Sequence, residues 1–189
     1  DNNYYDVRNN STVNDIDARF NWWGTTTTAT MNAGSNPKNI SKIYDYYDNN
    51  TLGTVNYAGW LSEAGGDPPA TTMLGAVLLT NSSGTEQLNF AADSTLYIKV
   101  TDSDRNTNSG TAETITVSAS SETETTAETV TLTETGANTG IFMGSITFAE
   151  AAASSGDDVL QVTRGDKLTG SYTDPADDYG NETTVTDVA

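Results

Sequence analysis

The sequence predicts a mainly β protein built from two domains. Apolar and polar residues alternate along several short segments, and Gly, Ser, Asn and Asp separate these segments, as in strands joined by turns. The 189 residues have a hydrophobic share of 35% and a net charge of −18, which suits β-rich domains better than a large helical core. The Gly- and Pro-containing stretch "SEAGGDPPATT" favours an extended linker. We therefore expect domains at 1–62 and 73–189, with a linker at 63–72.

The first segment contains a predicted amphipathic helix. Apolar residues recur at i, i+3, i+4 and i+7, which marks one stripe of a helix. These residues are Ile40, Ile43, Tyr44 and Tyr47. Ser35 or Asn36 would cap the helix, and Pro37 would occupy its first turn. The stretch "GTVNYAGWL" (residues 53–61) then alternates and predicts one short strand.

Two adjacent tryptophans stand in "ARFNWWG" (residues 18–24). On a regular strand, successive side chains point to opposite faces, so Trp22 and Trp23 would not form one flat surface. We expect one ring inside the domain and the other under the predicted helix.

The second segment reads as eight or nine strands separated by turns, a number that fits a Greek-key β-sandwich of the immunoglobulin-like type. Five strands are predicted from alternating apolar residues: Leu96, Ile98 and Val100; Ile115, Val117 and Ala119; Val130 and Leu132; Phe142, Ile146 and Phe148; Leu168 and Tyr172. Three more are predicted at "MLGAVLLT" (73–80), "EQLNF" (86–90) and "ETTVTDV" (182–188).

Each segment resembles a known class of protein. "NNYYDVRNNSTVNDIDARFNWWG", "IYDYYDN" and "LGTVNYAGWL" resemble the final coils and end segment of secreted right-handed parallel β-helix proteins of the pectate-lyase-like type, with Gly59 where those proteins have proline. The resemblance covers about residues 1–62 and implies β-helix end coils with a short capping helix. "VTLTETGANTGIFMGSI" resembles β-sandwich modules of large prokaryotic surface proteins, which implies a structural or adhesive role.

Composition excludes several functions. The chain has no histidine and no cysteine, and so lacks the usual proton shuttle at neutral pH, thiol chemistry and thiolate zinc sites. Its negative charge disfavours nucleic acid and anionic lipid as partners, and no apolar stretch is long enough to insert into a membrane. Carboxylates, hydroxyls and amides remain, and these groups bind hard cations or sugars.

The stretch "TDSDRNTNSGTAE" is a candidate calcium site, because its oxygen donors stand at alternate positions as in an EF-hand loop. The donors are Asp102, Asp104, Asn106, Asn108 and Glu113. Thr107 occupies the position where that loop has glycine, and an Asx-rich turn without metal is the competing interpretation. A second acidic turn contains Asp174, Asp177 and Asp178.

Several surface features suggest an extracellular location. Asn-x-Ser/Thr triplets predict glycosylation at Asn9, Asn10, Asn39, Asn49, Asn81 and Asn181. The aromatic residues Trp22, Trp23 and Trp60 are candidates for contacts with a neighbouring subunit or a carbohydrate.

We expect a non-enzymatic extracellular structural protein, a subunit or terminal piece of a surface filament or layer. Asp15 and Asp17 are the one acidic pair near "ARFNWWG", and the coils that would form a catalytic groove around them are absent. A β-helix coil is stable only when stacked on others, so the stub at Asn2–Val13 would pair with a neighbouring subunit in a homopolymer. Sharing of the terminal strand "TTVTDVA" is a variant. The alternative is a carbohydrate-binding or carbohydrate-degrading β-helix protein whose upstream coils are missing.

Overall fold

The computed structural model describes residues 5–66, 74–91 and 94–189. The chain divides into two compact units. The first unit comprises Asp1–Thr72 and Asp178–Asn181, and the second comprises Met73–Asp177 and Glu182–Ala189. Most of the predicted linker, from residue 67 onward, and the start of the stub, up to residue 4, lie outside the described residues.

The first unit contains four two-residue strands and one helix. In chain order these are β1 (Val7–Arg8), β2 (Ile16–Asp17), α1 (Thr25–Asn32), β3 (Ile43–Tyr44) and β4 (Val55–Asn56). Both strand pairs are parallel: β1 pairs with β3, and β2 pairs with β4. The chain therefore runs through this unit in two successive passes that lie side by side, the first containing β1 and β2 and the second containing β3 and β4. Their core is formed by Ala18, Trp23, Met31, Ile40, Ile43, Val55 and Tyr57.

The two passes approach so closely that position 53 must be glycine. A Cβ atom on Gly53 would lie 2.2 Å from the Asn14 carbonyl oxygen, far inside van der Waals contact. The buried Asn9 also holds the passes together, because its side-chain amide donates hydrogen bonds to the carbonyls of Asn14 and Thr54 at 2.9 and 3.2 Å. These polar contacts satisfy backbone groups that burial would otherwise leave unpaired.

The predicted helix through Ile40, Ile43, Tyr44 and Tyr47 is wrong. Ile40 and Ile43 are buried as expected, but Ile43 and Tyr44 form β3, and bends and turns follow from residue 45. The buried carboxylate of Asp45 fixes this arrangement by accepting the backbone N–H groups of Tyr47 and Val55 at 3.0 and 2.8 Å. A side chain that bonds nearby backbone groups competes with helix formation, so the helical spacing of the apolar residues is coincidental.

The second unit contains eight strands. They are β5 (Ala76–Thr80), β6 (Thr95–Thr101), β7 (Thr114–Ser121), β8 (Glu128–Glu134), β9 (Ile141–Ala149), β10 (Val159–Gln161), β11 (Leu168–Asp174) and β12 (Thr183–Val188). Seven of them follow the order β12-β11-β7-β8-β9-β6-β5 with antiparallel pairing, and β10 pairs with β9 in parallel. The fold is mainly β and sandwich-like or barrel-like.

The ends of this strand order nearly meet. The Asp187 carboxylate on β12 accepts the backbone N–H of Leu79 on β5 at 2.7 Å, so the sheet almost closes into a barrel. The alternating apolar residues point into one core that includes Leu79, Ile98 and Phe142, all with no exposed surface. Burial of this continuous apolar face is the main stabilising term of the unit.

Most predicted strands are confirmed. The exception is "EQLNF", where Glu86 makes only an isolated bridge to Thr80. The unpredicted strand β10 has three residues, too few to show a period. The motif "ETGANTG" (134–140) forms the connection between β8 and β9, since Glu134 accepts the backbone N–H groups of Thr139 and Gly140 at 2.6 and 2.8 Å.

Burial opposes ionisation of Glu134, but these hydrogen bonds, with that from the Glu113 backbone, outweigh burial and hold the pKa of the Glu134 carboxyl below its usual value. A lowered pKa in the folded state means that this carboxylate stabilises the fold above the pKa it has in the unfolded chain. Its contribution is lost as the pH falls through the folded-state pKa.

Candidate metal centre

Three aspartates of the second unit converge at one end of its sheet. Asp102 directly follows β6, Asp104 lies two residues further on, and Asp174 is the last residue of β11. One carboxylate oxygen of each lies within 4.8 Å of those of the other two. Two turns that are about 70 residues apart in sequence thus meet because β6 and β11 end at the same edge of the fold.

Hydrogen bonds hold two of these carboxylates in place. Asp102 is 2% exposed and Asp174 has no exposed surface. Asp102 accepts the Tyr172 hydroxyl at 2.6 Å, and Asp174 accepts the backbone N–H groups of Gly75 and Ala176 at 2.6 and 2.9 Å. Such rigid positioning is what a preorganised cation site requires.

Gly75 packs closely against the aspartate cluster and Tyr172. A Cβ atom there would lie 2.7 Å from Cε1 of Tyr172 and 3.0 Å from Oδ2 of Asp102, so a larger residue would displace both groups. Burial, the hydrogen bond to Asp102 and the charges of Asp102 and Asp174 raise the pKa of Tyr172 well above its usual value. The tyrosine is therefore a neutral donor at every physiological pH.

The donor set fits a hard divalent cation. Three carboxylates so close together repel each other, and Ca²⁺ would offset that repulsion while accepting oxygen ligands from each. Calcium coordinates six to eight oxygens in typical sites, so backbone carbonyls or water would complete the shell. Neither histidine nor cysteine is present to favour zinc or another softer metal.

The structure brings together two of the five residues of the predicted calcium loop. Asp102 and Asp104 belong to the cluster, whereas Asn106, Asn108 and Glu113 make other contacts. Asn106 donates to the side chain of Asn138 at 2.7 Å, and Asn108 accepts the backbone N–H of Gly110 at 3.0 Å. Glu113 accepts the Thr107 backbone N–H and hydroxyl at 2.9 and 2.6 Å. The loop therefore does not wrap around a single point as an EF-hand loop does.

Two further oxygens of this loop are buried acceptors. Asn106 Oδ1 and Glu113 Oε2 have no hydrogen-bond partner among the described residues.

Asp174 completes the cluster, yet the sequence analysis placed it in a separate acidic turn with Asp177 and Asp178. The signal that could have linked the turns is that the predicted strands through Val100 and Tyr172 lead toward Asp102 and Asp174, but strand order is needed to make those two turns neighbours.

The first unit holds a second candidate site, a surface cavity of about 480 Å³. Its lining includes Asp15, Asp17, Arg19, Tyr47, Asn56 and Tyr179. The Arg19 guanidinium donates two hydrogen bonds to the Asp17 carboxylate, at 3.0 and 2.9 Å. Hydrogen bonds from the Arg19 side chain and backbone hold the pKa of Asp17 below its usual value, so Asp17 is an ionised acceptor and a poor general acid.

The three tryptophans have different surroundings. Trp23 is 7% exposed and lies in the core of the first unit, whereas Trp22 is 44% exposed, so the two rings do not form a shared platform. Trp60 is half-buried and donates its indole N–H to Asn32 at 2.8 Å. Of the three, Trp22 offers the largest exposed aromatic surface.

The glycosylation triplets also differ in accessibility. Asn9 is 2% exposed, and its amide nitrogen, the atom to which a glycan would be joined, donates to two carbonyls. Asn10, Asn39 and Asn49 are exposed, and Asn81 and Asn181 are half-buried. The amides of Asn39 and Asn181 donate to the carbonyls of Tyr47 and Asn36.

Among the residues described, no helix combines the length and the apolar character that crossing a bilayer requires. The sequence matches no protein-family model, and a search of curated proteins returns no similar sequence.

Proposed function

We propose that the chain is a non-enzymatic structural protein of an extracellular surface, which assembles into a homopolymer by strand pairing between subunits. In this proposal the first unit is a β-helix end segment, and the second is an immunoglobulin-like module made rigid by Ca²⁺ at Asp102, Asp104 and Asp174. The observation that carries the proposal is the open edge of the parallel strand pairs in the first unit.

The open edge follows from the hydrogen-bond pattern. Val7 and Asn9 donate their backbone N–H groups to the carbonyls of Lys42 and Tyr44 at 3.3 and 2.8 Å. Backbone groups alternate in direction along a strand, so those of Arg8 point to the opposite edge. Within the described residues, neither β1 nor β2 has a second strand on that edge.

The same pattern recurs on the second strand pair. Ile16 and Ala18 donate to the carbonyls of Thr54 and Asn56 at 3.0 and 2.8 Å, so the backbone groups of Asp17 point to the open edge. Two strands on one pass therefore present free donors and acceptors, which is a template for adding another strand. A neighbouring subunit that pairs there would also cover Val7 and Ile16, which are only partly buried.

Arg8→Pro is expected to abolish assembly while leaving the subunit folded. Proline removes the N–H that points to the open edge, whereas the hydrogen bonds donated by Val7 and Asn9 remain. Arg8→Ala is the matched control, because it removes the same side chain and its contact with the Tyr44 ring but keeps the N–H. Light scattering and electron microscopy over a range of concentrations measure the assembly.

Native protein that stays monomeric at every concentration would contradict the proposal, as would an Arg8→Pro variant that assembles like Arg8→Ala. Tryptophan fluorescence checks folding, since all three tryptophans lie in the first unit. If Arg8→Pro unfolds that unit, Asp17→Pro tests the same edge on the second strand pair, with Asp17→Ala as its control.

Carbohydrate binding is the second candidate function, and the cavity beside Tyr47 favours it. Carboxylates, an amide and tyrosine rings line this cavity, and such groups hydrogen-bond to sugar hydroxyls and stack on sugar faces. Tyr47→Ala is expected to weaken binding on a glycan array by about tenfold, the equivalent of one stacked ring. Tyr46→Ala is the control, because Tyr46 is exposed but does not line the cavity. Equal losses in the two variants, or no binding by the native protein, would count against this function.

A further inference from the structure

A buried acid pair lies at the opposite end of β7 from the loop that carries Asp102 and Asp104. Glu124 is in the turn between β7 and β8, and Glu128 is the first residue of β8. The two side chains are only 1% and 2% exposed. The described residues place no lysine or arginine in an ion pair with either of them. Two buried acids without a cation need some other way to offset their charge.

Both carboxyl groups hold the same segment of the chain, residues 154–161. Glu128 accepts the backbone N–H groups of Gly156 and Asp158, the latter at 3.2 Å. Glu124 accepts the backbone N–H of Gln161 at 2.9 Å. The pair therefore fastens the segment that leads into β10 against the start of β8.

One oxygen of the pair requires a further explanation. Glu124 Oε1 is buried and accepts no hydrogen bond from any described N–H or O–H group, yet the Glu128 carboxyl is within hydrogen-bonding reach of Glu124. A proton on Glu124 accounts for this contact, because a protonated carboxyl donates to a neighbouring carboxylate. Glu128 would be the acceptor of this hydrogen bond, as it already is for the backbone N–H groups of Gly156 and Asp158.

We propose that Glu124 is protonated in the folded protein and donates this proton in a hydrogen bond to Glu128, and that this shared proton fastens residues 154–161 to β8. Ionisation of Glu124 would place two charges side by side in a buried site and weaken the attachment. The segment thus responds to pH while the rest of the sheet stays folded.

The electrostatic surroundings support the proposal. Burial raises the pKa of Glu124, and the neighbouring Glu128 and Asp157 raise it further, against the opposing hydrogen bond from the Gln161 backbone. Asp166, on the turn before β11, adds another acid close by, since it accepts the backbone N–H of Thr123. A raised folded-state pKa means that the stabilisation is complete below the pKa of the unfolded chain. It is lost as the pH rises through the folded-state value.

Hydrogen exchange of residues 154–161 between about pH 5 and about pH 8, corrected for intrinsic exchange, tests the proposal. We expect protection of the native segment to fall by about tenfold over this range. Glu124→Gln should remove that dependence, because its amide N–H donates to Glu128 at every pH. The infrared carbonyl band of a buried protonated carboxyl should be present in the native protein and absent in Glu124→Gln. Glu150→Gln, an exposed change of the same kind, should behave as native.

An identical pH dependence in the native protein and in Glu124→Gln would overturn the proposal. Protection of residues 154–161 that requires added Ca²⁺ and disappears with a chelator would also overturn the proposal. Such a result would mean that a cation bound by Glu124 and Glu128, and not a shared proton, holds the segment. Asp104→Asn separates the two cation possibilities, because any effect of calcium that acts through the metal centre disappears in that variant.

Discussion

Replacing Phe142 by alanine is expected to cost about 3–5 kcal/mol of the free energy of unfolding of the second unit. Phe142 has no exposed surface and lies on β9 within the apolar core. Truncation removes the buried ring and leaves a cavity that the surrounding strands cannot fill, because β9 is paired with β6 from Ile141 to Thr147 and with β8 at Phe142 and Met143. Much of the stability of a domain of this size would be lost.

Urea denaturation followed by far-ultraviolet circular dichroism measures this loss, because most strand residues belong to the second unit. Tryptophan fluorescence reports the first unit separately. Leu88→Ala is the matched control: Leu88 belongs to the same unit but is 61% exposed, and its truncation should change stability by less than about 0.5 kcal/mol. Similar losses for the two variants would mean that the core is not centred on Phe142.

Calcium is expected to raise the melting temperature of the second unit, and Asp104→Asn should abolish that response. A ligand that binds only the folded state stabilises it by about 2.7 kcal/mol at a concentration one hundred times its dissociation constant. Asp174→Ala should abolish the response as well. It should also cost about 3–5 kcal/mol without calcium, because the Gly75 and Ala176 N–H groups lose their charged acceptor.

Calorimetric titration and thermal melting with and without a chelator distinguish these effects. Glu150→Gln removes one exposed negative charge elsewhere in the unit, so it controls for the change in net charge. A native protein that shows neither heat nor a shift in melting temperature in millimolar calcium would contradict the metal assignment. An Asp174→Ala variant as stable as the native protein would contradict the role of its two hydrogen bonds.

The sequence predicted the second unit better than the first, and the reason is physical. A long strand with one buried face shows its period of two directly, as in Leu96, Ile98 and Val100. The helix α1 shows no repeat of apolar residues at helical spacing, because it reads "TTTTATMN" and buries Thr27 and Thr28 beside Met31. Threonine is neither apolar nor a strong helix former, so neither periodicity nor propensity marks this helix.

The sequence predicted two of the three aspartates of the candidate metal centre. Asp102 and Asp104 are close in sequence, and their spacing indicated an oxygen-rich turn. Asp174 joins them only because β6 and β11 end together, and no local pattern contains that information. The burial of Trp23 agrees with the expectation of one inward ring. The expectation that the other ring lies under a helix through Ile40 and Tyr47 is wrong, because that helix does not form and Trp22 is 44% exposed.

The contact between β5 and β12 has a consequence for biosynthesis. The Leu79 N–H finds its acceptor on Asp187, 108 residues later in the chain, and the Gly75 N–H finds its acceptor on Asp174. A ribosome must therefore release almost the whole of the second unit before its first strand gains these partners. Until then the apolar face of β5 is uncovered, and contacts this distant in sequence form slowly. We expect folding of this unit to follow translation and to benefit from a chaperone that shields β5 while β12 is still being made.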